Sequence, residues 1–252
     1  MRIMLTNSPP QMQTLTAPTY TYVGTDKLDV MSFAVNYNKD LAHLAMVSLG
    51  TPFGTVLDFG AGTGGMLSLL AQYHPNLVGY DPDPQHVSRI QSRGIPAVSA
   101  LTQIPNASLS GVCSFNVLEH IEDDVAALTQ LRAKMVSGAK LFVYVPAFMD
   151  LYTQMDTDVG HYRRYTREQL CEALAKAGFQ VEAAGYHDPL GYIATRLLKF
   201  MGRATPVTGG SVKFYDRLIY PLSRAITVFT KHRFGKNVWA TAVCARADRR
   251  QA

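Results

Sequence analysis

The sequence predicts an α/β protein in which a mostly parallel sheet is covered by helices on both faces. Between about residues 54 and 186, short apolar runs of strand length alternate with amphipathic stretches of helix length. The apolar runs are continuous, as expected for strands that are buried on both faces of a parallel sheet. A glycine-rich turn, Gly60-Ala-Gly-Thr-Gly-Gly65, links the first of these runs to the first helix of the series.

The N-terminal part is predicted to be a loose arm followed by a helical cap. Residues 1–20 contain Pro, Gln and Thr without apolar periodicity. From about residue 29 to residue 49, apolar residues recur every three or four positions, which is the pattern of one or two amphipathic helices. We therefore expect residues 1–50 to form an arm and a cap ahead of the sheet.

The central part is predicted to alternate between strands and helices. Strands are expected near 54–59, 77–81, 96–99, 111–116, 140–145 and 179–186. Helices are expected near 65–73, 84–93, 122–135 and 166–178. Pro84 suits a first helical turn, Thr166 suits an N-cap, and Gly178 suits a C-terminal stop. The twenty or so residues that follow Pro146 have no clear period.

The C-terminal part is predicted to be a helical insertion followed by a last strand. Amphipathic stretches near 189–203 and 212–231 carry apolar and aromatic residues at helical spacing, and a strand follows near 238–245. Such an apolar stripe favours a lid or a dimer contact first. Contact with a membrane surface is the second alternative, because basic amphipathic helices can lie on membranes. We expect one domain over residues 1–252, with a core at 51–186, an insertion at 187–236 and a last strand at 237–247.

Composition limits the possible partners and the compartment. The net charge of +5 is spread along 252 residues without a basic tract, so nucleic acid is not an expected partner. The three cysteines are far apart and form no CxxC pair, which favours a reducing compartment and predicts no metal site. No window approaches the roughly 18 apolar residues of a spanning helix. We expect a cytoplasmic protein without stable membrane insertion, as a monomer or a homodimer.

The glycine turn and two acidic residues predict an adenosine-containing cofactor. Glycines let the backbone approach a ligand closely, and a helix N-terminus directs free N–H groups the same way. Asp81 closes the second strand, where a carboxylate can accept hydrogen bonds from a ribose diol. Gly60, Gly62 and Gly65 also satisfy the dinucleotide pattern G-x-G-x-x-G, and a turn used only for packing is a further alternative. Asp58, just before the glycines, would repel a pyrophosphate and attract an ammonium group.

Three motifs together resemble a known family. Asp58-Phe-Gly-Ala-Gly-Thr-Gly64, Asp81 and Asn116-Val-Leu-Glu-His-Ile121 are similar in order and spacing to the signature of class I S-adenosylmethionine-dependent methyltransferases. The similarity covers roughly residues 40–185. It implies a Rossmann-like sheet of seven strands, mostly parallel with an antiparallel last strand. It also implies S-adenosyl-L-methionine as the cofactor.

The resemblance assigns a set of cofactor-binding residues. It implies that the glycines pack against the methionine part of the cofactor, that Asp58 faces its ammonium group, and that Asp81 binds the ribose hydroxyls. Leu101 falls where the family contacts the adenine, and Asn116 lines the cofactor edge. The expected cofactor-binding residues are Asp58, Gly60, Gly62, Gly64, Asp81, Leu101, Asn116 and Tyr37.

Three tyrosines precede the first strand, in the segment that commonly folds over the cofactor in this family. Their rings could cradle the sulfonium methyl group or an aromatic acceptor, and their hydroxyls could orient the acceptor. We expect Tyr22 to act in catalysis, Tyr20 to contact the substrate and Tyr37 to contact the cofactor. Simple packing is the alternative for Tyr37, because it lies on the apolar side of its helix.

Two stretches could supply a base for the acceptor. Glu119 and His120 follow the fourth predicted strand, at the carboxyl edge where ligands bind in open α/β sheets. The second stretch, Asp156-Thr-Asp-Val-Gly-His-Tyr-Arg-Arg-Tyr165, resembles a block that forms part of the active-site wall in bacterial small-molecule methyltransferases. His161 is the expected general base, oriented by Glu119. His120 and Arg164 are expected substrate contacts, with a structural role as the alternative for each.

The expected function is methyl transfer to a C, N or O atom of a small aromatic molecule of secondary metabolism. An indole-type acceptor is one candidate, because loss of its ring N–H proton would allow either N- or C-methylation. O- or N-methylation of another natural product, or methylation of a quinone precursor, are alternatives because the fold does not select the acceptor. A non-catalytic S-adenosylmethionine-binding regulator or partner subunit is the alternative from another class.

Overall fold

A computed structural model describes residues 30–201 and 208–245 of the protein. The strands are β1 (Thr55–Phe59), β2 (Leu77–Tyr80), β3 (Ala97–Val98), β4 (Leu109–Phe115), β5 (Met135–Pro146), β6 (Phe179–His187) and β7 (Asn237–Cys244). They form one seven-stranded sheet of order β3-β2-β1-β4-β5-β7-β6. β7 pairs antiparallel with β5 and β6, whereas the other described pairs are parallel. The predicted mostly parallel sheet with an antiparallel last strand is therefore confirmed.

Nine described α-helices accompany the sheet. They are α1 (Val35–Leu49), α2 (Gly65–Leu70), α3 (Pro84–Gln91), α4 (Asp124–Lys134), α5 (Gln154–Asp158), α6 (Arg167–Lys176), α7 (Pro189–Phe200), α8 (Gly209–Phe214) and α9 (Tyr220–Phe229). The expected caps of α6 are present, because the Thr166 side chain accepts a hydrogen bond from the backbone N–H of Gln169 and Gly178 has a φ of 84°.

Two segments differ from the sequence-based prediction. The helix expected over 212–231 is interrupted by a π-helical turn at Tyr215–Ile219, and Pro221 then lies in the first turn of α9. Proline has no backbone N–H for a regular helical hydrogen bond, so a break just before it is physically reasonable. The stretch after Pro146, which has no clear period, contains a 3₁₀ turn at Met149–Leu151 and the short helix α5.

The hydrophobic core lies on both faces of the sheet. On one face, Leu128 of α4 and Leu170 of α6 pack in a buried cluster with strand residues. On the other face, Leu41 of α1, Leu67 of α2 and Ile90 of α3 belong to a second buried cluster. The central strands β1, β4 and β5 are therefore covered from both sides, which explains their apolar runs, whereas the edge strand β6 exposes Gln180 and Glu182.

The helices between β6 and β7 expose apolar side chains. Ile193, Leu197 and Phe200 follow one another at helical spacing along α7, and all three are exposed. Leu222 and Phe229 of α9 are exposed as well. A lid, a dimer contact or a membrane-surface contact thus stays the prediction for this insertion. None of the helices in the described ranges has the length and apolarity that a membrane span requires.

The parallel strands direct their carboxyl ends to one edge of the sheet. The glycine turn follows β1, Asp81 follows β2 and Asn116 follows β4, so these residues meet at that edge. In open α/β sheets this edge is the usual ligand-binding position. The candidate site is therefore built from the segments that leave β1, β2, β4 and β5.

Candidate active site

The glycine turn requires glycine for two reasons. Gly60, Gly62 and Gly64 have φ angles of 80°, 51° and 79°, which lie in a left-handed backbone region that residues other than glycine rarely adopt. A Cβ atom on Gly60 would lie 2.3 Å from Cγ2 of Val117, so the turn is also packed tightly against the segment that follows β4. The backbone N–H groups of Gly60 and Ala61 both donate to the carbonyl of Tyr80, each at 2.8 Å.

We expect Gly60→Ala to lower the thermal stability of the ligand-free protein. The left-handed backbone and the clash with Val117 should together cost about 1–3 kcal/mol, which corresponds to a fall in Tm of roughly 3–10 °C in a chain of this size. Gly65→Ala is the matched control, because a Cβ there meets nothing within 4 Å and φ lies outside the left-handed region. Thermal unfolding followed by circular dichroism measures both variants. Equal Tm values for the two would contradict this account of the turn.

Asp81 ties the glycine turn to α3. Its carboxylate is buried and accepts hydrogen bonds from the backbone N–H of Gly62 at 2.8 Å and of Asp83 at 3.0 Å. Nδ1 of His86 lies 3.0 Å from the same carboxylate. Carboxylate oxygens can accept further hydrogen bonds, so these contacts are compatible with the predicted ribose-binding role. His86 has no motif signal in the sequence, and only its position on α3 brings it to Asp81.

Asp58 is a buried carboxylate without a partner among the described residues. It lies in β1, is 1% exposed, and neither carboxylate oxygen accepts a hydrogen bond there. Burial, and secondarily the negative charge of Asp81, raise the pKa of Asp58 to about 7. An unpaired buried charge is costly, and a cationic ligand group would relieve that cost. The ammonium group of S-adenosylmethionine therefore fits this site.

Two other predicted cofactor residues lie along the same edge. Asn116 is exposed, has a φ of 54°, and donates its backbone N–H to the Tyr144 carbonyl at 2.7 Å. Leu101 is half-buried and begins the 3₁₀ turn at Leu101–Gln103, just after β3. Contacts of Asn116 and Leu101 with the cofactor remain predictions.

Tyr37 belongs to a hydrogen-bonded group between α1 and the sheet. Its hydroxyl lies 2.7 Å from the Tyr144 hydroxyl and accepts a hydrogen bond from the Asn237 side chain at 3.1 Å. Nδ1 of His187 contacts the Tyr144 hydroxyl at 2.8 Å. These bonds describe a structural role, and the contact of Tyr37 with the cofactor remains a prediction. Tyr20 and Tyr22 lie outside the described residues.

Glu119, His120 and His161 converge although they come from two distant stretches. Glu119 and His120 lie in the 3₁₀ turn at Leu118–His120, after β4. The backbone N–H of Tyr162 donates to the Glu119 carbonyl at 2.8 Å and holds the His161 loop against this turn. The His120 and His161 rings meet edge to face with centroids 4.5 Å apart. Nε2 of His161 is 3.9 Å from Oε1 of Glu119, which is beyond hydrogen-bond distance.

Burial changes the protonation of two members of this group. Glu119 is 0% exposed, and neither of its carboxylate oxygens has a hydrogen-bond partner in the described ranges. Its burial raises the pKa of the carboxyl to about 8, against the opposing effects of its own backbone N–H group and of the positive charge of Arg164. Burial, followed by the charge of His161, lowers the pKa of His120 to about 4. At neutral pH without a ligand, Glu119 is thus protonated and His120 is neutral.

Asp156, not Glu119, is the carboxylate that orients His161. Its Oδ1 lies 2.7 Å from Nδ1 of His161, and Arg164 donates to both carboxylate oxygens at 2.8 and 3.0 Å. Burial opposes ionisation of Asp156, but the hydrogen bonds from His161 and Arg164 outweigh it and hold the pKa well below the usual range. The Nδ1 contact leaves Nε2 of His161 directed towards Glu119.

The end of the same block pins the loop to the sheet. Arg164 is buried, and its guanidinium is held by Asp156 and by a hydrogen bond to the Ala147 carbonyl at 3.4 Å. The Tyr165 hydroxyl donates to Asp124 at 2.6 Å. These bonds support the structural alternative for Arg164, and its contact with substrate remains a prediction.

Comparison with known proteins identifies the family. A methyltransferase-domain family model matches residues 33–184, more than half of the chain. A probable S-adenosylmethionine-dependent methyltransferase of Mycolicibacterium smegmatis is 29% identical over 135 residues, which are 50% of this chain and 52% of that protein. An uncharacterised methyltransferase of Mycobacterium tuberculosis is 31% identical over 116 residues, which are 42% of this chain and 59% of that protein. The chain thus spans little more than half the length of these curated relatives.

Solved structures with low sequence identity share the fold. A phosphoethanolamine N-methyltransferase of Haemonchus contortus, solved with S-adenosylmethionine, is 14% identical with a TM-score of 0.59, covering 85% of this chain and 57% of that one. A geranyl diphosphate C-methyltransferase of Streptomyces coelicolor is 11% identical with a TM-score of 0.57, covering 82% and 77%. The family model covers more than half of the chain and the relatives carry the same family description, so the chain belongs to the S-adenosylmethionine-dependent methyltransferases.

Proposed function

We propose that this chain transfers a methyl group from S-adenosylmethionine to a small acceptor bound beside Glu119, His120 and His161. One observation carries the proposal: a fully buried carboxyl and two imidazoles converge just beyond Asn116, at the sheet edge where the cofactor is expected. Polar groups that converge in this way beside a cofactor edge are typical of an acceptor site.

The cofactor side of the reaction depends on residues of the first two strands. Asp58 would hold the ammonium group, Asp81 would hold the ribose hydroxyls, and the glycine turn would lie against the methionine part. The bound cofactor supplies a methyl group that is already activated on a sulfonium sulfur. The protein must therefore aim the acceptor atom at that methyl group and remove the acceptor's proton if there is one.

The acceptor side depends on the cluster of Glu119, His120 and His161. The acceptor loses its proton here, and His161 is the predicted base. Asp156 engages Nδ1 of His161 at 2.7 Å, so Nε2 is the ring nitrogen available to the cluster. Arg164 and Tyr165 keep the loop in place and do not need to touch the acceptor for this function.

The acceptor is a small molecule that offers an O, N or C atom. An aromatic acceptor of secondary metabolism, with an indole-type ring as one candidate, remains the sequence-based prediction, and a quinone precursor is its alternative. The structural neighbours are named for N-methylation of phosphoethanolamine and C-methylation of geranyl diphosphate. A shared fold therefore does not select among these atoms.

Transfer of radiolabelled methyl from S-adenosylmethionine tests the proposed function. The purified full chain is incubated with a panel of phenols, catechols, amines, indoles and quinols, and separately with a metabolite extract, DNA and RNA. We expect label in the organic extract of at least one small-molecule reaction. Cofactor binding without any labelled product would favour the non-catalytic regulator, and label confined to nucleic acid would contradict a small acceptor.

A further inference from the structure

We propose that Glu119, His120 and His161 bind one divalent transition-metal ion, which in turn binds an oxygen atom of the acceptor. The inference rests on the proposed function and deepens it, because it assigns the acceptor to hydroxyl-bearing molecules. The sequence predicts no metal site, because its three cysteines are far apart and form no CxxC pair, and it indicates Glu119 and His161 as a general-base pair instead.

The three side chains have the donor atoms and the spacing of a metal site. One carboxylate oxygen and one nitrogen from each imidazole all lie within 4.8 Å of one another. Bonds of about 2.0–2.2 Å to a shared ion would place neighbouring donor atoms roughly 3–3.5 Å apart. Nε2 of His161 and Oε1 of Glu119 are already 3.9 Å apart. Small side-chain rotations would therefore close the site around an ion.

Hydrogen bonds with neighbouring residues hold both imidazoles in place. Asp156 engages Nδ1 of His161 at 2.7 Å, which directs Nε2 towards the centre of the cluster. Arg164 fixes Asp156 through both carboxylate oxygens. His120 hydrogen-bonds the backbone of Val159 and Gly160. A carboxylate or carbonyl behind a metal-bound histidine is the usual arrangement, because it sets the tautomer and the ring orientation.

Glu119 provides independent support for a ligand at this position. It is 0% exposed, and both of its carboxylate oxygens are without a hydrogen-bond partner in the described part of the chain. A buried polar group normally has a partner, and leaving one unsatisfied is costly. A cation between Glu119 and the two imidazoles, whose ring centroids are 4.5 Å apart, would give this carboxylate a partner.

The ligand set indicates the type of metal and its chemical role. Two imidazoles and one carboxylate favour zinc, manganese, iron or cobalt over magnesium, which prefers oxygen ligands. Three protein ligands leave positions open for water or for an acceptor oxygen. A hydroxyl bound to such an ion loses its proton to solvent more readily. The O–CH₃ bond then forms as the S–CH₃ bond of the cofactor breaks, and neutral S-adenosylhomocysteine leaves.

In this arrangement His161 serves as a ligand, and the ion performs the activation that was predicted for its imidazole. Asp156 acts as a positioning residue behind the ligand. The three ligating residues are therefore expected to depend on one another for binding of the ion, and Asp156 should change its affinity without being required for its presence.

Cobalt binding to the full chain tests the site without depending on activity. The protein is stripped with a chelator, dialysed and titrated with Co²⁺, which is followed by calorimetry and by visible absorption. We expect one equivalent to bind, with loss of binding in Glu119→Gln and in His120→Gln. Asp156→Asn should bind Co²⁺ about 10–100-fold more weakly. His43→Gln is the matched control, because His43 is an exposed histidine outside the cluster. Circular dichroism verifies that each variant is folded.

Three outcomes separate the metal site from the proposed function. Absence of Co²⁺ binding in the folded wild-type protein, or equal binding in the wild type, Glu119→Gln and His120→Gln, overturns the metal site. Methyl transfer that is unaffected by chelator also overturns the role of an ion while leaving the proposed function in place. Cluster-dependent Co²⁺ binding in a protein that methylates no small molecule supports the site and rejects the proposed function.

Discussion

Asp58→Asn is expected to weaken binding of S-adenosylmethionine strongly at pH 8 while the fold stays intact. Asn has the shape of Asp but lacks the charge that would pair with the cofactor's ammonium group. A hydrogen bond to a charged partner is worth about 1.5–3 kcal/mol, which corresponds to a loss of roughly 10–150-fold in affinity. Isothermal titration calorimetry with S-adenosylmethionine and with S-adenosylhomocysteine measures the change. Glu172→Gln, an exposed acid paired with Lys176, is the control for a change of net charge.

The same residue should make cofactor binding depend on pH. Because the pKa of Asp58 is about 7 in the ligand-free protein, the carboxyl holds a proton below that pH and the ammonium group must displace it. Affinity should therefore rise between pH 5.5 and pH 8, approaching a tenfold change per pH unit on the acidic side. The Asp58→Asn variant should lack this slope. An unchanged slope in the variant would assign the pH dependence to another group.

Asp58→Asn should change the stability of the ligand-free protein in the opposite direction to cofactor affinity. Its folded pKa lies above the unfolded value of 3.8, so the ionised form destabilises the fold, and this destabilisation grows as pH rises from about 4 to about 7. Without cofactor, Asp58→Asn should therefore unfold at a higher temperature than the wild type at pH 8, and at a similar temperature at pH 4. A lower Tm of the variant at pH 8 would show that Asp58 stabilises the ligand-free fold, which would contradict the idea of an unpaired charge that needs a ligand.

The fold could be predicted largely from local patterns. Strand positions followed from continuous apolar runs, and the glycine turn marked the point where β1 meets α2. The antiparallel direction of β7 came only from the family resemblance, because a strand's sequence does not encode its direction. The π-helical turn at Tyr215–Ile219 was not predicted, since it keeps the apolar periodicity of a helix and differs only in hydrogen bonding.

The candidate site could be predicted only in part. Asp58, Asp81 and Glu119 could be placed because each lies on or just after a strand whose carboxyl end faces one edge. The pairing of His161 with Asp156 could not, because it depends on how α5 and the following Gly160 turn fold back.

His161→Ala is expected to lower the rate of methyl transfer by about 100-fold or more while cofactor affinity stays within about twofold of the wild type. A group that activates the acceptor's proton typically contributes 10²–10⁴-fold to the rate. No described contact joins His161 to Asp58 or Asp81, so the cofactor side should be unaffected. Single-turnover kinetics and calorimetry measure the two quantities separately. Full activity in the variant would reject both a base and a ligand role for His161.

Asp156→Asn distinguishes an oriented imidazole from one that only fills space. The amide keeps the volume of Asp156 but weakens its contact with Nδ1 of His161 and its bidentate pair with Arg164. If His161 must present Nε2 to an acceptor or an ion, kcat should fall about 10–100-fold with KM for S-adenosylmethionine unchanged. A merely structural Asp156 would instead lower Tm and raise KM together. Loss of the Arg164 pair could change both Tm and kcat, so Arg164→Lys is the comparison. Lysine cannot form the bidentate pair with Asp156, but the contact between Asp156 and His161 stays. This variant should therefore lower Tm, while its kcat should fall less than that of Asp156→Asn.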